Sequence, residues 1–158
     1  MTGESGASAV EFAIVSAILF MLVFGTIQFG IAYFRYQGLQ SAAREGARIA
    51  AVGGSQSDAA TRARSSQNGF AGSDIKISMS GSNDNGTSWS AICNDSGGSP
   101  CTSTAAPSPC TSAGLGNLIR VTATVPNTGG KYAIVIPLWG NANITYSAQG
   151  TFRCEKSG

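Results

Sequence analysis

Histidine is absent from the 158 residues, and charged side chains make up only 11 per cent of them. The first absence excludes Ser-His-Asp and Cys-His nucleophilic centres, and the few lysines offer little replacement as bases. The second is low against the quarter or so typical of globular proteins. No C-x-x-C pair is present, so a zinc or redox site lacks its usual paired spacing. Asn83-Asp84-Asn85-Gly86 lacks the acidic alternation of a calcium loop, and neither Gly53-Gly54 nor Gly97-Gly98 joins a strand to a helix as a phosphate loop does. The formal charge of +2 is small and the basic residues form no long run, which argues against a nucleic-acid partner. Asp74, Asp84 and Asp95 are scattered and read as solvated structural groups. The expectation is a protein that is not an enzyme, with no catalytic residues, no cofactor and no metal.

What the chain does have begins at its N-terminus. Residues 12–34 carry no charge. As a helix they span roughly 35 Å, enough for a hydrocarbon core of about 30 Å. A cleaved secretory signal would be shorter, about 7 to 15 apolar residues, with a basic segment before it and a small-x-small site after it. Here no Lys or Arg precedes the run, and Ala32-Tyr33-Phe34-Arg35-Tyr36 closes it. Aromatic rings beside a long cation suit a membrane interface, so residues 7–36 read as a retained membrane helix. Ala9, Ala13 and Ala17 recur at four-residue spacing, with Gly25 as a further thin point, a pattern that lets another helix approach closely.

Glu11 stands at the front of that helix. At bilayer depth a carboxylate costs about 2.5 to 3.5 kcal/mol. At headgroup level it would merely favour the positive end of the helix dipole, by about 0.3 to 1 kcal/mol. If the chain were cut after Gly6, Ala7 would carry a free amine, and Glu11 could pair with the amine of a neighbouring subunit. The cost of sinking the carboxylate then becomes a reward for correct helix packing.

Gly6, four residues, then Glu11 and Phe12 leading into a membrane helix resembles the prepilin-peptidase site of the TadE-like pseudopilins of tight-adherence (Flp-type) pilus systems. The stretch from Ile27-Gln28-Phe29-Gly30 through Tyr33 to Ala42-Ala43-Arg44-Glu45-Gly46-Ala47-Arg48 is similar to the post-membrane helix of that family. The closing strand, residues 147–155, is similar more weakly. The resemblance implies cleavage between Gly6 and Ala7, with Glu11 and Phe12 as assembly residues. As partners it implies the inner membrane, a prepilin peptidase, another pseudopilin, the major pilin and the inner-membrane assembly platform. The implied location is the bacterial inner membrane, crossed once, with the C-terminal domain in the periplasm. Members usually carry a basic leader, whereas Met1-Thr2-Gly3-Glu4-Ser5 has only Glu4. Counting Arg35, Arg44 and Arg48 alone would put the C-terminal part in the cytoplasm. The weakly charged, Gly-, Ser-, Thr- and Asn-rich composition overrules that count, and a start codon placed inside an arginine-rich leader would reconcile the two.

The helix is expected to run on to about Val52, with Tyr36, Leu39, Ala43, Ala47 and Ala50 on one apolar face and Gly53-Gly54 as its stop. Arg44 and Arg48 sit one turn apart, and Glu45 lies within pairing reach of Arg48. Ser57 caps a short helix over 58–67. Ile75, Ile77 and Met79 alternate as a half-buried strand, and 81–116 is a long polar loop. Strands follow at 118–125, 132–136 and from Ile144 to Phe152, with turns at Asn127-Thr128-Gly129-Gly130 and Gly140-Asn141 and a bulge at Gly150. Trp89 and Trp139 are candidate surface anchors for a partner, with the core the expected place of Trp139.

Cys93, Cys101, Cys110 and Cys154 read as two disulfides formed in an oxidising compartment. Three connectivities exist and spacing selects none. The pairing we carry forward is Cys93 with Cys101 inside the loop and Cys110 with Cys154 tying the loop to the sheet.

The expected architecture is α+β: a long membrane helix continuing as a stem, packed against a small antiparallel sheet with a disulfide-stapled loop. It divides into a leader (1–6), a membrane helix (7–36), a stem and linker (37–56) and a periplasmic α+β domain (57–158). The expected function is that of a pilin-like subunit in assembly of a tight-adherence pilus. The alternative is a signal-anchored periplasmic binding protein whose cysteine-containing loop holds a surface or cell-wall ligand.

Overall fold

The computed structural model describes residues 4–103, 107–136 and 140–156. In chain order its elements are α1 (Glu4–Ala51), α2 (Gln56–Ser65), β1 (Lys76–Ser82), β2 (Ser90–Asn94), α3 (Pro109–Ala113), β3 (Leu118–Val125), β4 (Ile134–Ile136), β5 (Gly140–Ala142) and β6 (Tyr146–Arg153), with short 3-10 turns at Gly72–Asp74 and Thr128–Gly130. Four strands form an antiparallel sheet in the order β2-β1-β3-β6, and β4 with β5 makes a separate two-stranded ribbon. The class is the expected α+β, with a long N-terminal apolar helix, a small antiparallel sheet and two disulfides.

Strand alternation sets the core. Along β3, Ile119, Val121, Ala123 and Val125 are buried, while the residues between them are half-buried on the other face. Ile77 and Met79 lie opposite Ala123 and Val121, and Ala148 and Gly150 complete those two rows from β6. Against this face lies the C-terminal half of α1, through Leu39, Ala42, Ala43, Ala47 and Ala50. The sheet supplies most of the bulk and the helix supplies proximity. A Cβ at Gly46 would stand 2.9 Å from the Cβ of Ala63 in α2 and 3.3 Å from Cγ1 of Val121, so glycine lets both neighbours close on the stem. Ala59, Ala60 and Ala63 give α2 an equally thin contact face.

The end of the stem is tied to the end of the chain. The N–H of Glu155 donates to the carbonyl of Ala51 at 3.0 Å, satisfying one of the acceptors a helix terminus leaves open. One residue earlier, Cys154 is bonded to Cys110 at the start of α3. The other bond joins Cys93 in β2 to Cys101.

Several local expectations are corrected. The cap of α2 is Ser55, whose Oγ accepts from the N–H of Asp58 at 3.1 Å, so the helix starts before Ser57 and ends at Ser65. Tyr36 is exposed and Ala42 takes its place on the buried face, because the contact follows where the sheet lies. The long loop contains β2 and α3; Ser108 caps α3, and Pro109 opens it with a ready-made φ. Gly140-Asn141 is strand rather than turn, paired with Val135 and Ile136. Ile144 precedes β6. Gly150 pairs in an unbroken ladder with Val121, and its glycine answers a close helix approach instead of a bulge. Trp89 is half-buried under Arg120, whose guanidinium carbon lies 3.5 Å from the ring centroid, while Trp139 lies outside the described residues.

Candidate functional site

α1 has two unlike halves. Its C-terminal half is part of the domain, whereas residues 6–34 are bare of domain contacts except near their end. Phe12 and Phe29 are 74% and 73% exposed, and the most apolar window of this helix has no buried residue. Among the described residues this is the one helix long and apolar enough to cross a membrane. Its hydroxyls are internally satisfied: Ser16 donates to the carbonyl of Ala13 at 3.0 Å and Thr26 to that of Val23 at 2.9 Å. That is how a helix carries Ser and Thr where no water is available. The helix fits a single-pass membrane anchor bearing a C-terminal domain.

Gly6, Ala7, Glu11 and Phe12 lie on the first turns of α1, all exposed, and Glu11 has no ion-pair partner among the described residues. Ala9, Ala13 and Ala17 are exposed as well. A Cβ at Gly6 or Gly25 would meet nothing within 4 Å, whereas one at Gly38 would stand 2.4 Å from the carbonyl oxygen of Asn68. The domain therefore accounts for the glycines of the stem and leaves those of the apolar half without a use inside the chain. Each such helix-interior glycine costs roughly 0.5 to 1 kcal/mol relative to alanine.

The carboxylates serve structure. Asp95 is nearly buried and accepts from the N–H of Ile77 at 3.0 Å, the N–H of Cys101 at 2.9 Å and the guanidinium of Arg64. It locks the Cys93–Cys101 loop to β1 and α2. Asp84 folds the turn after β1 by accepting from the hydroxyls of Ser82 and Ser88 and the N–H of Ser88, bonds that hold its carboxyl well below the usual range. Asp74 receives Nζ of Lys131 at 2.5 Å and the hydroxyl of Tyr132 at 2.6 Å. These two bonds, Lys131 first, lower its pKa, and the same contact raises that of Lys131. Glu45 pairs with Arg48 at 3.4 Å, as its spacing suggests, and also with Arg62 of α2 at 3.1 Å. Sequence reading missed the Arg62 contact; the signal was the small-residue face Ala59, Ala60 and Ala63, which brings α2 against the stem.

Two surface hollows deserve description for the binding-protein alternative and for the anchor. One, of about 400 Å³, lies beside the cysteine loop and is lined by Gln56, Asn83, Ser90, Ile92 and Pro107 among others, none charged. The other, of about 480 Å³, is an apolar groove between α1 and the β4–β5 ribbon, lined by Phe29, Tyr33, Tyr36, Ile134, Ile144 and Tyr146 among others.

The family model described as TadE-like protein matches residues 6–48, that is, the bare half of α1 and most of the buried stem. No curated protein and no solved structure gives a significant match.

Proposed function

We propose that the chain is a TadE-type pilin-like membrane subunit that takes part in building a tight-adherence pilus. The observation that carries this reading is the division of α1. Over the residues of the family match, small residues of the stem are filled by the chain's own domain, while Gly6, Ala9, Ala13, Ala17 and Gly25 face nothing. A bare apolar helix with a glycine, a carboxylate and small residues at its start suits two outside readers: a peptidase and neighbouring helices.

In the proposed mechanism a prepilin peptidase cuts between Gly6 and Ala7. Glycine leaves the backbone at the cut open to the enzyme, and nothing in the fold requires it there. The new amine and the Glu11 carboxylate then pair across subunits, so a charge that costs energy in lipid alone becomes favourable in register with a neighbour. The small residues let helices close together, where dispersion rather than the hydrophobic effect holds them. The disulfide-bonded domain stands on the periplasmic side, where oxidation is sustained. The second pseudopilin, the major pilin and the assembly platform are the partners this reading entails.

The test is the intact mass and N-terminal sequence of the protein purified from its own host's membranes. The reading expects a chain that begins at Ala7, and a Gly6→Leu variant that keeps its first residues. A wild-type chain that retains Gly6 would replace this reading with that of a plain anchored protein.

A further inference from the structure

The groove between α1 and the β4–β5 ribbon has no counterpart in the peptidase or assembly reading. Ile134 and Ile144 line it from the ribbon side, and Phe29, Ala32, Tyr33 and Tyr36 from the helix. Strand alternation puts Ile136 on the same ribbon face as Ile134, and Ile136 and Ile144 are 40% and 37% exposed. We infer that the β4–β5 ribbon is a second membrane contact, seated at the headgroup–acyl boundary, with the lipids of the leaflet around α1 as its occupant. This rests on the reading of α1 as a membrane span.

Depth is the first argument. Counting from Phe12 at about 1.5 Å per residue, Phe29 lies about 26 Å along the helix and Tyr33 about 32 Å, on either side of the edge of a hydrocarbon core about 30 Å thick. The ribbon packs on the helix at that level, so a span that begins at Phe12 brings the ribbon to the edge of the hydrocarbon core. Chemistry is the second. A two-stranded ribbon leaves its outer N–H and C=O groups unpaired, which bars it from the hydrocarbon centre and suits a burial of about 5–10 Å. Tyr33 and Tyr36 give the groove exposed rings with polar tips, the side chains that settle at this boundary. The attraction is apolar, because the groove is lined by no charged residue.

The inference is tested on the full chain in phosphatidylcholine vesicles at high lipid-to-protein ratio, with an environment-sensitive dye at Ile136→Cys, Phe20→Cys or Gln149→Cys and both disulfides intact. The expected result is that Ile136 is quenched best by nitroxide lipids labelled near the headgroup and is protected from aqueous iodide about threefold or more relative to exposed Gln149. Phe20 should be quenched best by nitroxides at the bilayer centre. If Phe20 is in lipid while Ile136 is as open to iodide as Gln149, the ribbon contact is wrong and the span stands. Iodide access at Phe20 would overturn the span and the inference with it. Protection of Ile136 that grows with protein density would assign the groove to a second copy and overturn the lipid assignment.

Discussion

The Cβ that Gly150 lacks would lie 2.5 Å from the carbonyl oxygen of Ala43, so the middle of β6 touches the backbone of the stem helix directly. Gly150→Ala has no flexible neighbour to displace. We expect a loss of about 1–3 kcal/mol or more in chemical denaturation, the cost of overpacking a closed contact. Unchanged stability would mean that stem and sheet are farther apart than described.

Gly25→Ala should behave oppositely. No atom of the chain stands within 4 Å of the added methyl, and alanine favours helix by roughly 0.5–1 kcal/mol, so domain unfolding should be unaffected. Glu11→Gln should likewise leave domain unfolding unchanged. Under the proposed function both variants lose co-purification with other pilin-type subunits, Glu11→Gln the more severely. Intact assembly of Glu11→Gln would remove the role given to the carboxylate.

Asp95→Ala should cost about 3 kcal/mol, because it strands the N–H groups of Ile77 and Cys101 and leaves the half-buried Arg64 without its carboxylate. Thermal unfolding monitored by circular dichroism reads it. Asp95→Asn should recover part of the loss, since an amide oxygen can still accept.

The two disulfides should differ in weight. The Cys110–Cys154 pair is separated by 44 residues and Cys93–Cys101 by 8. Chain-entropy estimates give about 4 and about 2.5 kcal/mol respectively. Serine substitution of each pair, followed by urea titration under matched redox conditions, should rank them in that order.

Protonation of Asp74 should weaken the fold from the acid side. Its pKa is lowered by bonds from Lys131 and Tyr132, so between the ordinary carboxylate value of about 3.9 and the lower folded value the unfolded chain binds more protons. Its contribution is complete above that range and disappears as pH falls through the folded value. Lys131, raised by the same contact, contributes fully below its unfolded pKa of about 10.4 and loses that contribution as pH rises through its folded value. Unfolding midpoints across pH should show both slopes flattened in Asp74→Asn.

Much of this was legible from residue order alone. The bare apolar run, its flanks, the alternation of Leu118–Val125 and the class of fold depend on periodicity and composition, which local physics sets without knowledge of neighbours. The family match over residues 6–48 falls on the same stretch that carried the resemblance. Only the tertiary structure decided which cysteines pair, because that depends on β2 and β6 being brought to opposite ends of the sheet order around β1 and β3. It likewise decided that Gly150 is a contact rather than a bulge, that Asp95 is a buried staple, and that the Ile134–Ile136 ribbon lies against the end of the apolar run. Each of these is a distance between residues far apart in the chain, and a pattern read along the chain carries no such distance.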